Sequence, residues 1–311
     1  MHQPPIIDAH QNLMRHLDRC HDPEQRQTDF RLLREAGVAL VVSSIFSEHA
    51  TERRSNDFVT DQINRYHRAA QEHSGFLIVE NALTLNHVLT GDELGVILHI
   101  EGAEALESRD REMILQLWKE VGVRSVGIVW NETNNLGGGA YGIRGLTKIG
   151  QEVIRWLDAN GMIVDLAHMN AETFWDTMQL VEHPPVISHG NCWTLSPHPR
   201  NYTDDQIRQV AWRGGVIGLS CVPNFVNNRK RAMLSDVIRH FLHVIELVGI
   251  DHVGFGTDFG GILDERLIAD ADKVTALPYI LEVLESYGFS QINLKKIAWG
   301  NFARVIRQRL T

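Results

Sequence analysis

Eight short apolar segments, each followed by a stretch with helical periodicity, are the feature that most limits how this chain can fold. Segment 38–42 (VALVV) is apolar throughout, which is typical of a strand buried on both faces of a parallel sheet. Eight strands joined by helices predict an α/β protein, a single (β/α)8 barrel of the TIM type. A doubly wound open sheet is the alternative. The predicted strands are 6–12, 38–42, 95–101, 123–129, 162–168, 185–189, 215–220 and 252–258.

Helices are predicted between the strands from the spacing of apolar residues and from residues that favour helix ends. Asp29 and Gly37, for example, mark the start and the end of a short helix. Residues 13–27 are polar and predict an irregular loop over the barrel mouth, whereas 291–310 predict a final helix. Region 76–86 is ambiguous and is consistent with a short extra strand and helix.

Charge, length and cysteine content limit the partners and the compartment of the protein. The 30 Lys and Arg residues against 39 Asp and Glu residues give a formal net charge of −9, which argues against nucleic acid or an anionic membrane as partner. We expect no secretory signal, and no apolar run approaches the roughly 18 residues of a membrane span. Three cysteines without close spacing suit a reducing compartment, so a cytoplasmic protein is expected. No Pro-, Gly- or Ser-rich linker divides residues 1–311, which predicts one domain.

The first predicted strand ends in three polar residues at alternate positions. Because side chains two residues apart share a face of a strand, Asp8, His10 and Asn12 are expected to point into the same site. Many metal-dependent hydrolases begin with a strand that ends in the pattern Asp-x-His-x-acidic. Here the last position is Asn12, whose amide is a poorer metal ligand than a carboxylate.

Four other predicted strands also end in a potential metal ligand or an acid, namely Glu101, His168, His189 and Asp258. Functional residues of such barrels lie at the C-terminal strand ends, so we expect these four beside His10. Imidazole and carboxylate groups bind Zn²⁺ or similar ions, and Glu101 can bridge two of them. Metal ions activate water near neutral pH, and Asp258 can pass its proton to a leaving amine. The residues therefore predict hydrolysis of an amide or ester.

Segment 131–142, which follows the fourth predicted strand, is rich in Asn and Gly and contains three consecutive glycines at 137–139. A loop that binds phosphate would need a strand, a GxGxxG motif and a helix in succession, and that arrangement is missing around this segment. We therefore predict a loop that faces the substrate.

Eight motifs stand in order along residues 5–305, namely 7–11 (IDAHQ), 99–103 (HIEGA), 145–150 (GLTKIG), 161–168 (GMIVDLAH), 185–191 (PVISHGN), 199–205 (PRNYTDD), 214–218 (GGVIG) and 252–259 (HVGFGTDF). Together they resemble the membrane (renal) dipeptidase family. The resemblance implies a barrel with a binuclear zinc centre that cleaves dipeptides, often with a D-residue at the C-terminal position, and a homodimer. It assigns His10 to the first metal, Glu101 to the bridge, and His168 and His189 to the second metal.

The same resemblance gives roles to two further residues. Asp258 corresponds to the acid near the bridging water, and Arg200 corresponds to the arginine that binds the substrate carboxylate. A guanidinium forms two parallel hydrogen bonds with a carboxylate, so a free C-terminus is a natural target. The expected partner is therefore a small dipeptide-like substrate.

Three positions depart from the family pattern. Asn12 replaces the aspartate that completes the first metal site, so that site is expected to be weakened or only one metal to bind. Trp130 and Asn131 lie where the family often has a histidine that contacts the substrate. Gly260 replaces the usual aspartate after Phe259. A zinc-dependent dipeptidase is the leading prediction; the alternatives are an amidohydrolase for another small amide and a catalytically impaired barrel that binds a metal or ligand.

Overall fold

The computed structural model describes residues 4–72, 76–262 and 267–310. Its strands are parallel and alternate with helices along the chain, as the spacing of the apolar segments predicts. The strands are β1 (Ile6–Gln11), β2 (Val38–Ile45), β3 (Phe76–Ile78), β4 (Leu94–Glu101), β5 (Val123–Gly127), β6 (Ile163–Asp165), β7 (Val186–Gly190), β8 (Val216–Leu219) and β9 (Val253–Phe255).

Eight of these strands close into a barrel. They pair in the order β2-β1-β9-β8-β7-β6-β5-β4, and the pairing of β2 with β4 completes the ring. That closing ladder runs from Leu40 opposite Gly95 to Ile45 opposite Ile100. The prediction of a (β/α)8 barrel is therefore confirmed, and the open-sheet alternative is excluded by the closure.

The remaining strand, β3, lies outside the ring beside the first half of β4. It pairs with β4 from Leu94 to Val96, whereas β5 pairs with β4 from Leu98 to Glu101. β2 pairs with one edge of β4. β3 and β5 therefore both pair with the opposite edge, β3 with its first half and β5 with its second half. The short extra strand and helix expected in region 76–86 are thus present.

Helices cover the outside of the ring, where Trp118, Phe174 and Phe241 are buried. Asp29 caps its helix by accepting a hydrogen bond from the Leu32 amide at 2.7 Å. The α-helices are α1 (Leu13–Arg19), α2 (Phe30–Glu35), α3 (Ala50–Arg53), α4 (Asn56–Glu72), α5 (Ala82–Thr90), α6 (Arg111–Glu120), α7 (Lys148–Ala159), α8 (Ala171–Leu180), α9 (Asp204–Trp212), α10 (Pro223–Val226), α11 (Leu234–Val248), α12 (Leu277–Ser286), α13 (Gln291–Lys295) and α14 (Asn301–Arg309).

Two predicted segments differ from the structure. Residues 13–27 are not an irregular loop throughout, because Leu13 and Met14 are buried and the chain forms α1 directly after β1. The final helix is interrupted by a π-helical turn at Lys296–Gly300, after which the side-chain Nδ2 of Asn301 donates to the carbonyl oxygens of Ile250 and Val253. Across the part of the chain that the structure describes, no helix has the length and apolar character that crossing a membrane requires.

Candidate metal centre

Three imidazole rings converge on the carboxylate of Glu101, which ends β4. His168 Nε2 lies 2.8 Å from Glu101 Oε1, and His189 Nε2 lies 3.9 Å from the same oxygen. His10 Nε2 lies 3.4 Å from the other oxygen, Oε2. All four side chains are buried. The fold therefore brings together four of the residues predicted as metal ligands, from β1, β4, β7 and the turn after β6.

The spacing of these groups fits two divalent ions. Ligand atoms of Glu101, His168 and His189 lie within 4.8 Å of one another, as do those of His10, His189 and Asp258. His10 Nε2 and Glu101 Oε2 are buried, face each other at 3.4 Å and have no hydrogen bond to any other described residue. Buried polar atoms are nearly always paired, so these two atoms fit a site in which an ion lies between them. The nitrogen and carboxylate donors suit Zn²⁺ or a similar ion.

Burial and charge give the three histidines different protonation states. Burial disfavours a charge on His10, but the carboxylates of Glu101 and Asp258 outweigh it and raise its pKa to about 9. Burial, together with the Arg200 charge, lowers the pKa of His168 to about 3. Burial also lowers the pKa of His189 well below its usual value. At neutral pH the metal-free site thus holds one charged and two neutral imidazoles.

Asp258 lies on the His10 side of the centre, in a backbone conformation that favours glycine. Its φ is +64°, and that of His168 is +67°; such strained residues concentrate at functional sites. Its Oδ1 lies 3.7 Å from His10 Nε2. Burial raises the pKa of Asp258 to about 7, although the charge on His10 opposes this. A β-carbon at Gly261 would lie 2.5 Å from Asp258 Oδ1, so this glycine leaves room for the carboxylate.

Asn12 connects Asp258 to the second strand. Its Nδ2 donates to Asp258 Oδ1 at 3.1 Å, and its Oδ1 accepts a hydrogen bond from Ser44 Oγ at 2.8 Å. The nitrogen of the amide, and not its oxygen, therefore faces Asp258. Metal ligation by Asn12 stays a prediction, and it requires the amide oxygen to turn toward an ion.

Asp8 does not contribute to the centre, contrary to the expectation from its spacing with His10. Its Oδ2 accepts hydrogen bonds from Gln11 Nε2 at 2.7 Å and Thr257 Oγ1 at 2.6 Å. Its Oδ1 accepts another from the Thr257 amide at 2.9 Å. The carboxylate fixes β1 to the segment after β9, so its role here is to hold the barrel together beneath the centre.

Arg200, predicted to bind the substrate carboxylate, lies at the edge of the cluster. It is only 2% exposed, and its Nη2 lies 2.7 Å from His189 Nε2. Its guanidinium carbon stands 5.4 Å from the centre of the Phe225 ring. An arginine in this position is not a surface loop residue, and its charge is available next to the candidate metal ligands.

Trp130 and Asn131, the two other predicted substrate-binding residues, take different places. The Trp130 ring lies 6.0 Å from that of His168 and 5.0 Å from that of Phe46, and it forms part of a pocket wall. Asn131 Oδ1 lies 2.9 Å from His168 Nδ1, so it also orients an imidazole. The pocket of about 330 Å³ is lined by Asn12, Arg15, Phe46, Glu48, Glu101, Trp130, Asn131, His168, Arg200, Val222, Asn224, Phe225, Asp258, Gly261 and Ile262.

Sequence reasoning missed a layer of polar residues directly beneath the centre. His99, Asp165 and Ser188 are each 1% exposed or less. His99 Nε2 lies 3.4 Å from Asp165 Oδ2, and Ser188 Oγ donates to the same oxygen at 2.5 Å. The sequence contains one indication of this layer. Because side chains two residues apart share a face of a strand, His99 lies on the same face of β4 as Glu101.

The different protonation states predict different pH dependences for the two metal positions. Metal binding next to His10 must displace a proton below pH 9, so Zn²⁺ affinity there should rise about tenfold per pH unit between pH 7 and 9. The position formed with His168 should bind with little pH dependence, because that ring is already neutral. Competition with a chromophoric chelator measures both affinities, and His10→Gln should remove only the pH-dependent binding. Equal slopes at the two positions would contradict this assignment.

Comparison with known proteins agrees with this geometry. A model of the membrane dipeptidase family (peptidase family M19) matches residues 1–310. An uncharacterised protein encoded in the pqqA 5' region of Klebsiella pneumoniae is 36% identical over 230 residues, which cover 69% of this chain and 82% of that protein. Dipeptidase tcpJ of Claviceps purpurea is 29% identical over 220 residues, and the match spans 51% of its length.

Two solved structures share the fold over nearly the whole chain. A metallo peptidase from Rhodobacter sphaeroides, liganded with a phosphinate mimic of the dipeptide L-Ala-D-Ala, superposes with a TM-score of 0.89 at 22% identity and 100% coverage of both chains. The metallo peptidase described as dipeptidase AC gives a TM-score of 0.89 at 23% identity, with 99% of both chains covered. With the family match extending from residue 1 to residue 310, the chain belongs to the membrane dipeptidase family of metallopeptidases.

Proposed function

We propose that this protein is a zinc-dependent dipeptidase that hydrolyses the single amide bond of a dipeptide. The observation that carries the proposal is the convergence of three imidazole Nε2 atoms on the two oxygens of one buried carboxylate, Glu101. Each carboxylate oxygen faces its own imidazoles, which is the arrangement that a bridging ligand between two ions needs. Zn²⁺ is proposed because nitrogen and carboxylate donors suit it.

The residues divide between two metal positions. His168, His189 and Glu101 Oε1 would hold one ion, and His10 with Glu101 Oε2 would hold the other, completed weakly by Asn12. Bound there, the ions would polarise the scissile carbonyl and lower the pKa of water. The neutral amide of Asn12 supplies less charge than a carboxylate, so the position next to His10 would be the weaker one.

Asp258 is proposed as the group that moves the proton. Its carboxylate would take the proton that the attacking water loses and return it to the nitrogen of the leaving amine. A group serves both steps best when its pKa is close to the working pH, and in the metal-free site burial raises the Asp258 pKa toward that range. Asn12 Nδ2, 3.1 Å from Oδ1, would hold the carboxylate in place.

Arg200 is proposed to select substrates by their length. Its guanidinium lies next to His189, so a carboxylate bound to it would be close to the bond that is cleaved. Arg200 Nη2 lies 2.7 Å from His189 Nε2, which lies 3.9 Å from Glu101 Oε1, and this short spacing favours a single residue between the bound carboxylate and the scissile carbonyl. The wall formed by Trp130 and Phe46 would then lie beside the other residue of the substrate. The proposal includes dipeptide substrates with a D-residue at the C-terminal position, because the sequence motifs resemble those of the membrane dipeptidase family.

A hydrolase for another small amide is the second candidate, because Trp130 and Asn131 shape the pocket where the family often has histidine. Asn131 is moreover engaged with His168 Nδ1. A catalytically impaired barrel is the third, since Asn12 directs an amide nitrogen toward Asp258. The single domain over residues 1–311, the homodimer and the cytoplasmic location stay predictions from the sequence.

Glu101→Gln tests the proposed function. The variant should fold, yet it should lose dipeptide hydrolysis by about 10³-fold or more, since metal-based charge stabilisation is worth several kcal/mol. Hydrolysis of L,L- and L,D-dipeptides and the metal content of each protein are the measurements. Glu80→Gln, which alters an ion pair with Arg124 outside the cluster, should keep the wild-type rate. Wild-type rates of hydrolysis in Glu101→Gln would refute the mechanism. A wild-type protein that is found to bind no metal would favour the catalytically impaired barrel.

Asn12→Asp tests the weakened metal position. The added carboxylate should raise Zn²⁺ affinity at the position next to His10 by about tenfold or more and increase dipeptide turnover. Ser44 Oγ can still donate to the aspartate, whereas the hydrogen bond from Nδ2 to Asp258 Oδ1 is replaced by two facing carboxylates whose charge a bound ion would offset. Isothermal titration at fixed pH measures the affinity, with Asn12→Ala as the control that lacks both the charge and the amide. If neither the Zn²⁺ occupancy nor the dipeptide turnover changes in Asn12→Asp, the site does not need a carboxylate at this position and functions with the Asn12 amide.

A further inference from the structure

One ion pair on the wall of the pocket, Arg15 with Glu48, lies outside the group of candidate metal ligands. Arg15 Nη2 lies 2.6 Å from Glu48 Oε1, and both residues line the pocket beside Phe46. The Arg15 side chain is only 13% exposed. Ligand pockets obtain their specificity from a few fixed polar groups of this kind, so the pair is suited to selecting substrates.

The topology of the barrel places this pair across the pocket mouth from Arg200. Glu48 and Phe46 follow β2, whereas Arg200 follows β7, and these two strands are four positions apart in the ring of eight. Arg15 lies on α1 and its guanidinium carbon stands 4.8 Å from the centre of the Phe46 ring. With the C-terminal carboxylate of a dipeptide at Arg200, Arg15 would face the N-terminal residue.

The charge around Glu48 is positive. Its carboxylate also lies 3.3 Å from Arg19 Nη2, so two guanidinium groups share one carboxylate and the three side chains carry a net charge of +1. Hydrogen bonds from Arg19 and Arg15 lower the pKa of Glu48, so it is ionised at neutral pH. Among the described residues Glu48 makes the only ion pair of Arg15, and a guanidinium has five N–H groups. Arg15 can therefore bind a second carboxylate.

Two other arginines of this region are not placed to do so. Arg53 stands 5.8 Å from the centre of the Phe46 ring, but it is buried and its Nε lies 3.0 Å from Glu104 Oε1. The Arg19 side chain is 47% exposed and lies outside the pocket lining, one helical turn after Arg15. Of these three cations, Arg15 is the one that faces the pocket.

We propose that Arg15 is a specificity-determining residue that binds an acidic side chain in the N-terminal residue of the dipeptide. Contact with the Phe46 ring and the ion pair with Glu48 fix its guanidinium, so little freedom is lost when a substrate binds. The carboxylate of an aspartate or glutamate side chain matches it in charge and shape. The inference deepens the proposed function and rests on dipeptides binding with their C-terminus at Arg200.

Two dipeptides that differ only in charge, L-Glu-D-Ala and L-Gln-D-Ala, test this role. The zinc-loaded wild-type protein should hydrolyse the acidic dipeptide with a kcat/KM about tenfold higher. Most of the difference should lie in KM, because the ion pair forms in the ground state as well as in the transition state. Arg15→Met keeps an unbranched chain on Phe46 without the charge, and it should lower the ratio of the two kcat/KM values to about one.

Two controls separate recognition by Arg15 from a general loss of charge. Arg19→Met removes a guanidinium from the same carboxylate but outside the pocket, and it should keep the ratio within about twofold of the wild type. L-Ala-D-Glu and L-Ala-D-Gln carry the same side chains on the C-terminal residue, and Arg15→Met should not change their ratio.

Equal kcat/KM values for L-Glu-D-Ala and L-Gln-D-Ala in the wild-type protein would overturn the proposal. An equal loss for both dipeptides in Arg15→Met would also overturn it, because lost packing on Phe46 affects both alike. A wild-type protein that hydrolyses neither dipeptide would refute the proposed function instead. Isothermal titration with the same two dipeptides would then still decide the role of Arg15, since binding is measured without turnover.

Discussion

The buried negative charge of Glu101 is the constraint on which the rest of the site depends. Burial alone would raise the pKa of this carboxyl, but the adjacent His10 and His168 hold it well below its usual range. A buried carboxylate needs a compensating charge, and in the metal-free protein the charged His10 supplies it directly, with Arg200 beside the neighbouring His189. Divalent ions on either side of the carboxylate would satisfy the same need. The charge at Glu101 therefore favours metal binding, and it explains why donors from several strands converge there.

The barrel makes this convergence possible because every parallel strand ends at the same rim. Residues far apart in sequence, such as His10 and His189, become neighbours whose ring centres are 3.8 Å apart. Beneath them, Asp8 and Asp165 are bound by hydrogen bonds from the barrel itself. One layer of carboxylates thus holds the strands and orients the rings, whereas Glu101 and Asp258 above it remain available for chemistry.

The barrel and most of the site could be predicted from the sequence, since both follow from local patterns. Apolar runs defined the strands, and the polar residue that ends each run marked the rim. What the sequence could not show depends on contacts between distant segments. Asp8 accepts a hydrogen bond from Thr257, 249 residues away, and the Ser44 hydroxyl that orients Asn12 lies on another strand. Helix α1 was missed because the burial of Leu13 is set by the completed barrel.

The central claim is that Glu101 bridges two ions, and anomalous X-ray diffraction from crystals of the zinc-loaded protein tests it most directly. We expect two zinc peaks, one beside Oε1 near His168 and His189 and a weaker one beside Oε2 near His10. Zinc bound only away from the Glu101 carboxylate, or one fully occupied peak on the His10 side alone, would contradict it.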